Sequence, residues 1–150
     1  MGQSLSKVYA HIVFSTKNRE DWIDDKIEGD LFSYIGGICK SFECNPVQIG
    51  GYRNQVHILC TLSKKLTQVK LLEEVKKGSS KCIKTKGVAY QNFFWQDGYG
   101  IFSISAYELD RIKGYIQNQR MYHQQSSFKD EFRSFMKKHD IQYAERYVWT

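Results

Sequence analysis

The sequence predicts an α+β domain built on an antiparallel sheet of ferredoxin-like or RRM-like type, with its helices on one face. Three observations predict it. The periodic segments run β-α-β-β-α-β-α-α, paired strands fall between helices, and the 150-residue length suits one domain over residues 1–150. A chain of this length buries enough surface to fold without disulfides or a structural metal.

Residues 8–15 are rich in β-branched and aromatic side chains with partial alternation, which marks a first strand. A polar connection through Lys17, Asn18 and Arg19 follows. Over residues 24–39, Ile27, Leu31, Tyr34, Ile35 and Ile38 recur at helical spacing. Pro46, the only proline, breaks the chain before a second strand over 47–52, which ends in a glycine turn or bulge at Gly50-Gly51. The unbroken apolar run over 56–62 is a third strand, and it reads as buried on both faces. Residues 66–85 place Val69, Leu71, Leu72, Val75 and Ile83 among lysines, an amphipathic helix with an expected irregularity at Gly78-Ser79-Ser80. Residues 93–104 read as strand material with a glycine-bearing turn. Residues 107–124 and 128–138 read as two helices, and the tail 143–150 is aromatic and charged.

Lys and Arg number 22 against 16 acidic residues, a net charge of +6. That excess suits a polyanionic partner, because Lys and Arg neutralise phosphates, although many basic domains bind no nucleic acid. The aromatic content of 15% supplies rings that can stack on bases or simply fill a core. Cys39, Cys44, Cys60 and Cys82 form no CxxC pair and no Cys/His zinc spacing, so all four are expected as reduced thiols in a cytoplasmic protein. No apolar stretch approaches the ~20 residues of a membrane span and the start is polar, so no membrane partner and no signal peptide are expected.

Two places could carry chemistry. His57, in a buried-looking strand after Arg53-Asn54-Gln55, could ligate a metal or act as a base; the alternative is a core histidine with one hydrogen bond. Tyr115 and Gln119 are four apart on a predicted helix and so share a face, an arrangement that is also ordinary helix surface. Neither is specific alone.

In order along the chain, they are. The run from His11 to Arg19, the block from Gly51 to Leu59, the block from Phe94 to Ser105, and Tyr115-Ile116-Gln117-Asn118-Gln119 with Tyr122-His123 carry a resemblance. Phe128 to Phe132 and Tyr143 to Trp149 extend it. The chain resembles the HUH-superfamily single-tyrosine transposases of small insertion sequences, the IS200-like family, which includes relatives associated with repeated palindromic elements.

That resemblance implies a metal-dependent DNA strand transferase. Tyr115 would be the nucleophile, and Gln55, His57 and Gln119 would hold Mg²⁺ or Mn²⁺ at the scissile phosphate of single-stranded DNA with hairpin ends. Attack would give a 5′-phosphotyrosine and a free 3′-OH, and the protein would be a homodimer. The family motif has histidine at both ends of its triplet, whereas this chain has Gln55-Val56-His57. Either Gln55 serves as a weaker oxygen ligand and activity is reduced, or the protein is a relative that binds hairpin DNA without cutting it. Lys64, Lys65, Lys76, Lys77, Lys81 and Lys84, with Lys70 and Lys86, are the candidate phosphate-facing set, or else a solvated face. His123, eight residues beyond Tyr115, could lie near the site or serve a structural or surface role; His11, on the first strand, is expected to be structural and His139 to be on the surface. Trp95 and Tyr99 could stack on bases or sit in the core. An RNA-binding domain on a similar sheet is the remaining alternative, and the chain lacks an RNP1-like run.

Overall fold

The structure is a computed structural model and describes residues 2–150. Its strands are β1 (Tyr9–Ser15), β2 (Pro46–Tyr52), β3 (Gln55–Thr61) and β4 (Gly100–Ile104). The helices are α1 (Glu28–Ser41), α2 (Gln68–Lys84), α3 (Leu109–Gln117), α4 (Gln119–Tyr122) and α5 (Phe128–Lys138). The strands form one sheet in the order β2-β3-β1-β4, with all neighbours antiparallel. This is the expected α+β architecture with an antiparallel sheet.

The helices do not lie on one face. Ile12 and Phe14 of β1 and Val56 and Ile58 of β3 pack with Leu31 and Ile35 of α1 and Leu71 and Val75 of α2. The alternate residues face the other way, where Val13 and Phe102 meet Phe128, Phe132 and Met136 of α5. Leu59 and Ile104 meet Ile112 and Ile116 of α3 on that same second face. Period-two alternation explains why β1 and β3 are buried along almost their whole length: both of their faces are covered. The continuous apolarity of 56–62 anticipates this; the single-sided helix layer does not.

Three further expectations are corrected. The segment 66–85 carries no irregularity, since α2 runs unbroken through Gly78. A Cβ there would stand 2.7 Å from Ile38 Cδ1, so the glycine lets α1 and α2 approach, and Ser79 Oγ returns a hydrogen bond to Val75 O at 2.6 Å. The segment 93–104 is strand only from Gly100; before it the chain touches the sheet through the isolated Thr16–Trp95 bridge. The helix over 107–124 is broken at Asn118 (φ −102°, ψ 24°) into α3 and α4.

Local signals set where the second helix layer begins. Ser105 and Glu108 form a capping box ahead of α3, and Ser127 Oγ accepts from Asp130 N at 3.2 Å to start α5. Gly50 seats α3 on the sheet, because a Cβ there would lie 2.9 Å from both the Ile116 carbonyl oxygen and its Cγ2. Gly50→Ala is therefore expected to cost about 1–3 kcal/mol in urea unfolding by overpacking. It would also displace Tyr115, the neighbour of Ile116. Among the described residues no helix is long and apolar enough to cross a membrane. Cys39, Cys44, Cys60 and Cys82 are all free thiols, and burial pushes Cys39 up to about 12.

Candidate active site

The strand residues Gln55 and His57 and the helix residues Tyr115 and Gln119 converge between the sheet and the second helix layer, on the face that also carries His11. At the centre is the carboxylate of Glu131, from the first turn and a half of α5 and only 1% exposed. Glu131 Oε1 lies 3.2 Å from His57 Nε2 and 3.2 Å from His123 Nε2. Its other oxygen, Oε2, accepts from the Tyr115 hydroxyl and, at 3.2 Å, from Gln119 Nε2. Gln55 Nε2 donates to Gln119 Oε1 at 3.3 Å, so the two glutamines form a chain that ends on the carboxylate.

The electrostatics follow from this enclosure. Burial, then the Glu131 charge, pushes the Tyr115 phenol well above its ordinary 10. Burial alone would raise Glu131, but His57 and His123 outweigh it and hold the carboxyl well below the usual carboxylate range. Burial, reinforced by His57, pulls His11 well below 6.5 and keeps that ring neutral at pH 7.

His57, His123 and Glu131 each offer a ligand atom, and those atoms lie within 4.8 Å of one another. Two imidazoles and a carboxylate suit a divalent transition metal, and a hard oxygen partner widens that range toward Mg²⁺. Such an oxygen is at hand. Gln55 Oε1 is buried without a hydrogen-bond partner, the one such side-chain atom among the described residues. A buried amide oxygen left unpaired is costly, so its presence beside the cluster fits a cation. His123 is already oriented for the task. Its Nδ1 lies 2.8 Å from Ser126 O, and a carbonyl only accepts, so Nδ1 carries a hydrogen and Nε2 is the nitrogen turned toward Glu131.

A cleft of about 350 Å³ opens beside Gln55 and His123 and is ringed by Arg19, Arg53, Asn54 and Lys129. A second, of about 250 Å³, opens on the far side of Glu131, where Tyr115 is lined by Arg111, Tyr122 and Lys138.

Of the residues singled out in the sequence, Tyr115, His57, Gln119 and Gln55 thus meet at one point. The lysine set does not join them: α2, which carries Lys76, Lys77, Lys81 and Lys84, packs on the opposite face of the sheet, and Lys64 and Lys65 lie in the connection before it. Lys64 reaches Ser4 O at 3.5 Å, Lys65 pairs with Glu43 at 3.5 Å, and Lys84 sits 4.8 Å over the Phe94 ring. Lys77 and Lys81 are exposed. Lys76 turns inward, and its ammonium donates to the carbonyls of Gln96, Asp97 and Gly98 at 2.8, 2.9 and 2.7 Å. Lys76→Met is expected to lower stability by about 1.5–3 kcal/mol in urea unfolding, the scale of charge-assisted bonds, and Lys77→Met to leave it within about 0.5 kcal/mol.

Trp95 belongs to the core, where its indole donates to Ser79 Oγ at 2.9 Å, and His139 is half-buried against Phe102 with ring centres 4.8 Å apart. The sequence offers His123 as a residue that could lie near the site, and it gives Glu131 no role. A signal for Glu131 exists: it is an acid on the apolar stripe of Phe128, Phe132 and Met136, where a charge needs a buried partner.

Residues 4–119 match the family described as IS200-like transposases. The chain belongs to that family. The match ends at Gln119, so His123 and Glu131 of this IS200-like chain lie beyond it. Two solved structures share the fold. One is a candidate transposase from Deinococcus radiodurans R1, with TM-score 0.62 and 19% identity over 79% of this chain and 96% of that one. The other is a REP-associated tyrosine transposase bound to a REP hairpin, with TM-score 0.60 and 15% identity over 82% of this chain and 73% of that one. No curated protein matches the chain.

Proposed function

We propose that this IS200-like chain cleaves and rejoins single-stranded DNA at hairpin-bearing ends through a 5′-phosphotyrosine on Tyr115. The observation that carries the reading is the meeting of the Tyr115 hydroxyl, His57 and His123 on the single buried carboxylate of Glu131. The hairpin-bound relative supports the choice of substrate.

The chain's residues divide the work. Glu131 Oε2 holds the Tyr115 hydroxyl, fixing its oxygen and offering the atom toward which its proton leaves. Gln119, itself held by Gln55, donates to that same oxygen and keeps the carboxylate oriented. Arg19, Arg53 and Lys129 line the cleft beside the cluster and would position the phosphates of the strand. Attack forms the Tyr115 Oη–phosphorus bond, breaks the bond from phosphorus to the 3′-oxygen, and leaves that oxygen to take up a proton as a 3′-OH. The phosphodiester energy is retained in the tyrosyl ester, so a second 3′-OH can reseal the strand. His57, His123 and Glu131, with Gln55 Oε1, would hold Mg²⁺ or Mn²⁺. When bound, the cation offsets the Glu131 charge that disfavours phenol ionisation and the charge that builds on the phosphate. The chain acts as one domain and as a homodimer in this reading.

The test is incubation with labelled hairpin-ended single strands in Mg²⁺ or Mn²⁺, with chelator as control. Metal-dependent cleavage with a free 3′-OH is expected. Tight binding with no cleavage in either metal would instead make the protein a hairpin-binding relative without the chemistry.

A further inference from the structure

His57 has two ring nitrogens, and only one faces the cluster. Nε2 points at Glu131, while Nδ1 lies 2.9 Å from Nε2 of His11 on the neighbouring strand. The register makes this contact possible. His11 pairs across β1–β3 with Leu59, two residues along β3 from His57, so the two imidazoles are diagonal neighbours on one face of the sheet. Both are buried, at 1% and 0% exposure, and their rings stack with centres 5.1 Å apart. Phe135 closes the far side of His11 edge-on, 5.1 Å away, so neither ring can turn without displacing its neighbours.

We infer that His11 is a positioning residue that fixes the tautomer of His57, accepting the Nδ1 hydrogen so that the Nε2 lone pair is presented to a cation. It does for His57 what the Ser126 carbonyl does for His123. Of the two neutral tautomers, the one with its hydrogen on His57 Nε2 would leave no lone pair for a metal there. The reverse arrangement has His57 donating from Nδ1 and serves both the hydrogen bond and the ligand role. The pairing of a buried histidine with a second histidine, rather than with a carboxylate, adds no further negative charge to a cluster that already holds Glu131. The inference rests on the proposed cation site at His57, His123 and Glu131, and is tested separately from it.

His11→Gln keeps an acceptor oxygen close to the position of Nε2, and His11→Leu removes it. Calorimetric titration with Mn²⁺ should show His11→Leu binding about 10–100-fold more weakly than wild type, with His11→Gln recovering most of the loss. Thermal melting of both variants identifies any loss caused by unfolding. Nitrogen-15 NMR of the imidazoles supplies the readout that a purely structural role would not move. Wild-type His57 should show the Nδ1–H form, and His11→Leu should shift it toward Nε2–H. A wild-type protein carrying Nε2–H on His57, or a folded His11→Leu that binds Mn²⁺ like wild type, would overturn the inference. Wild type that binds no Mn²⁺ yet shows the Nδ1–H form, lost in His11→Leu, would overturn the cation site and leave the role of His11 standing.

Discussion

Tyr115→Phe should abolish strand cleavage, by at least about 10³-fold, while leaving DNA binding within about twofold. The substitution removes one oxygen and keeps the ring. That ring packs against Tyr122 at 5.1 Å and against His57 at 5.9 Å, contacts that phenylalanine preserves. What it removes is the only atom of this residue that can attack phosphorus. The hydroxyl also donates to Glu131 Oε2, so the variant leaves one acceptor site on a carboxylate that keeps Gln119 and two histidines. A stability change of about 1 kcal/mol is expected in urea, too small to explain lost activity. Cleavage by the folded variant at the wild-type rate would remove Tyr115 from the chemistry.

Glu131→Gln should be almost as damaging, for a different reason. The amide keeps the shape of the side chain but not its charge, and its NH₂ end confronts groups that need an acceptor. Mn²⁺ affinity measured by titration should fall at least about 10–100-fold, and cleavage should fall with it. The pH dependence of stability should change as well. The folded-state pKa of Glu131 lies well below its ordinary 4.5, so its ionised form contributes stability in full above 4.5. That contribution is lost as pH drops below 4.5 and through the lowered folded value. Urea unfolding across the acid range should therefore show a steeper loss in wild type than in Glu131→Gln. Parallel curves would mean that the carboxylate is not paired with His57 and His123 in solution.

Much of this was legible in the sequence, and the gaps have physical causes. Strands β1 and β3 announce themselves because both of their faces are apolar or aromatic. That same pattern held the clue that helices cover both sides of the sheet. Gly78 reads as a helix breaker from propensity alone, yet here it is the contact point of two helices, where tertiary packing outweighs an intrinsic cost of about 1 kcal/mol. Tyr115 and Gln119 were readable from their spacing and family likeness. Even so, the helix that carries them breaks at Asn118, and it is their shared bond to Glu131 that unites them. Glu131 stayed hidden because its partner on the sheet is distant in sequence: the pairing of His57 with Glu131 spans 74 positions. A count of lysines does not reveal that Lys76 points inward or that α2 lies behind the sheet.

The most direct test of the account is to trap the protein on a hairpin-ended single strand in Mn²⁺, digest both components, and locate the residual nucleotide by mass spectrometry. A nucleotide 5′-phosphate esterified to Tyr115, and absent when chelator replaces the metal, is the predicted result. An adduct on any other residue, or cleavage with 3′-OH ends and no covalent intermediate at all, would contradict it.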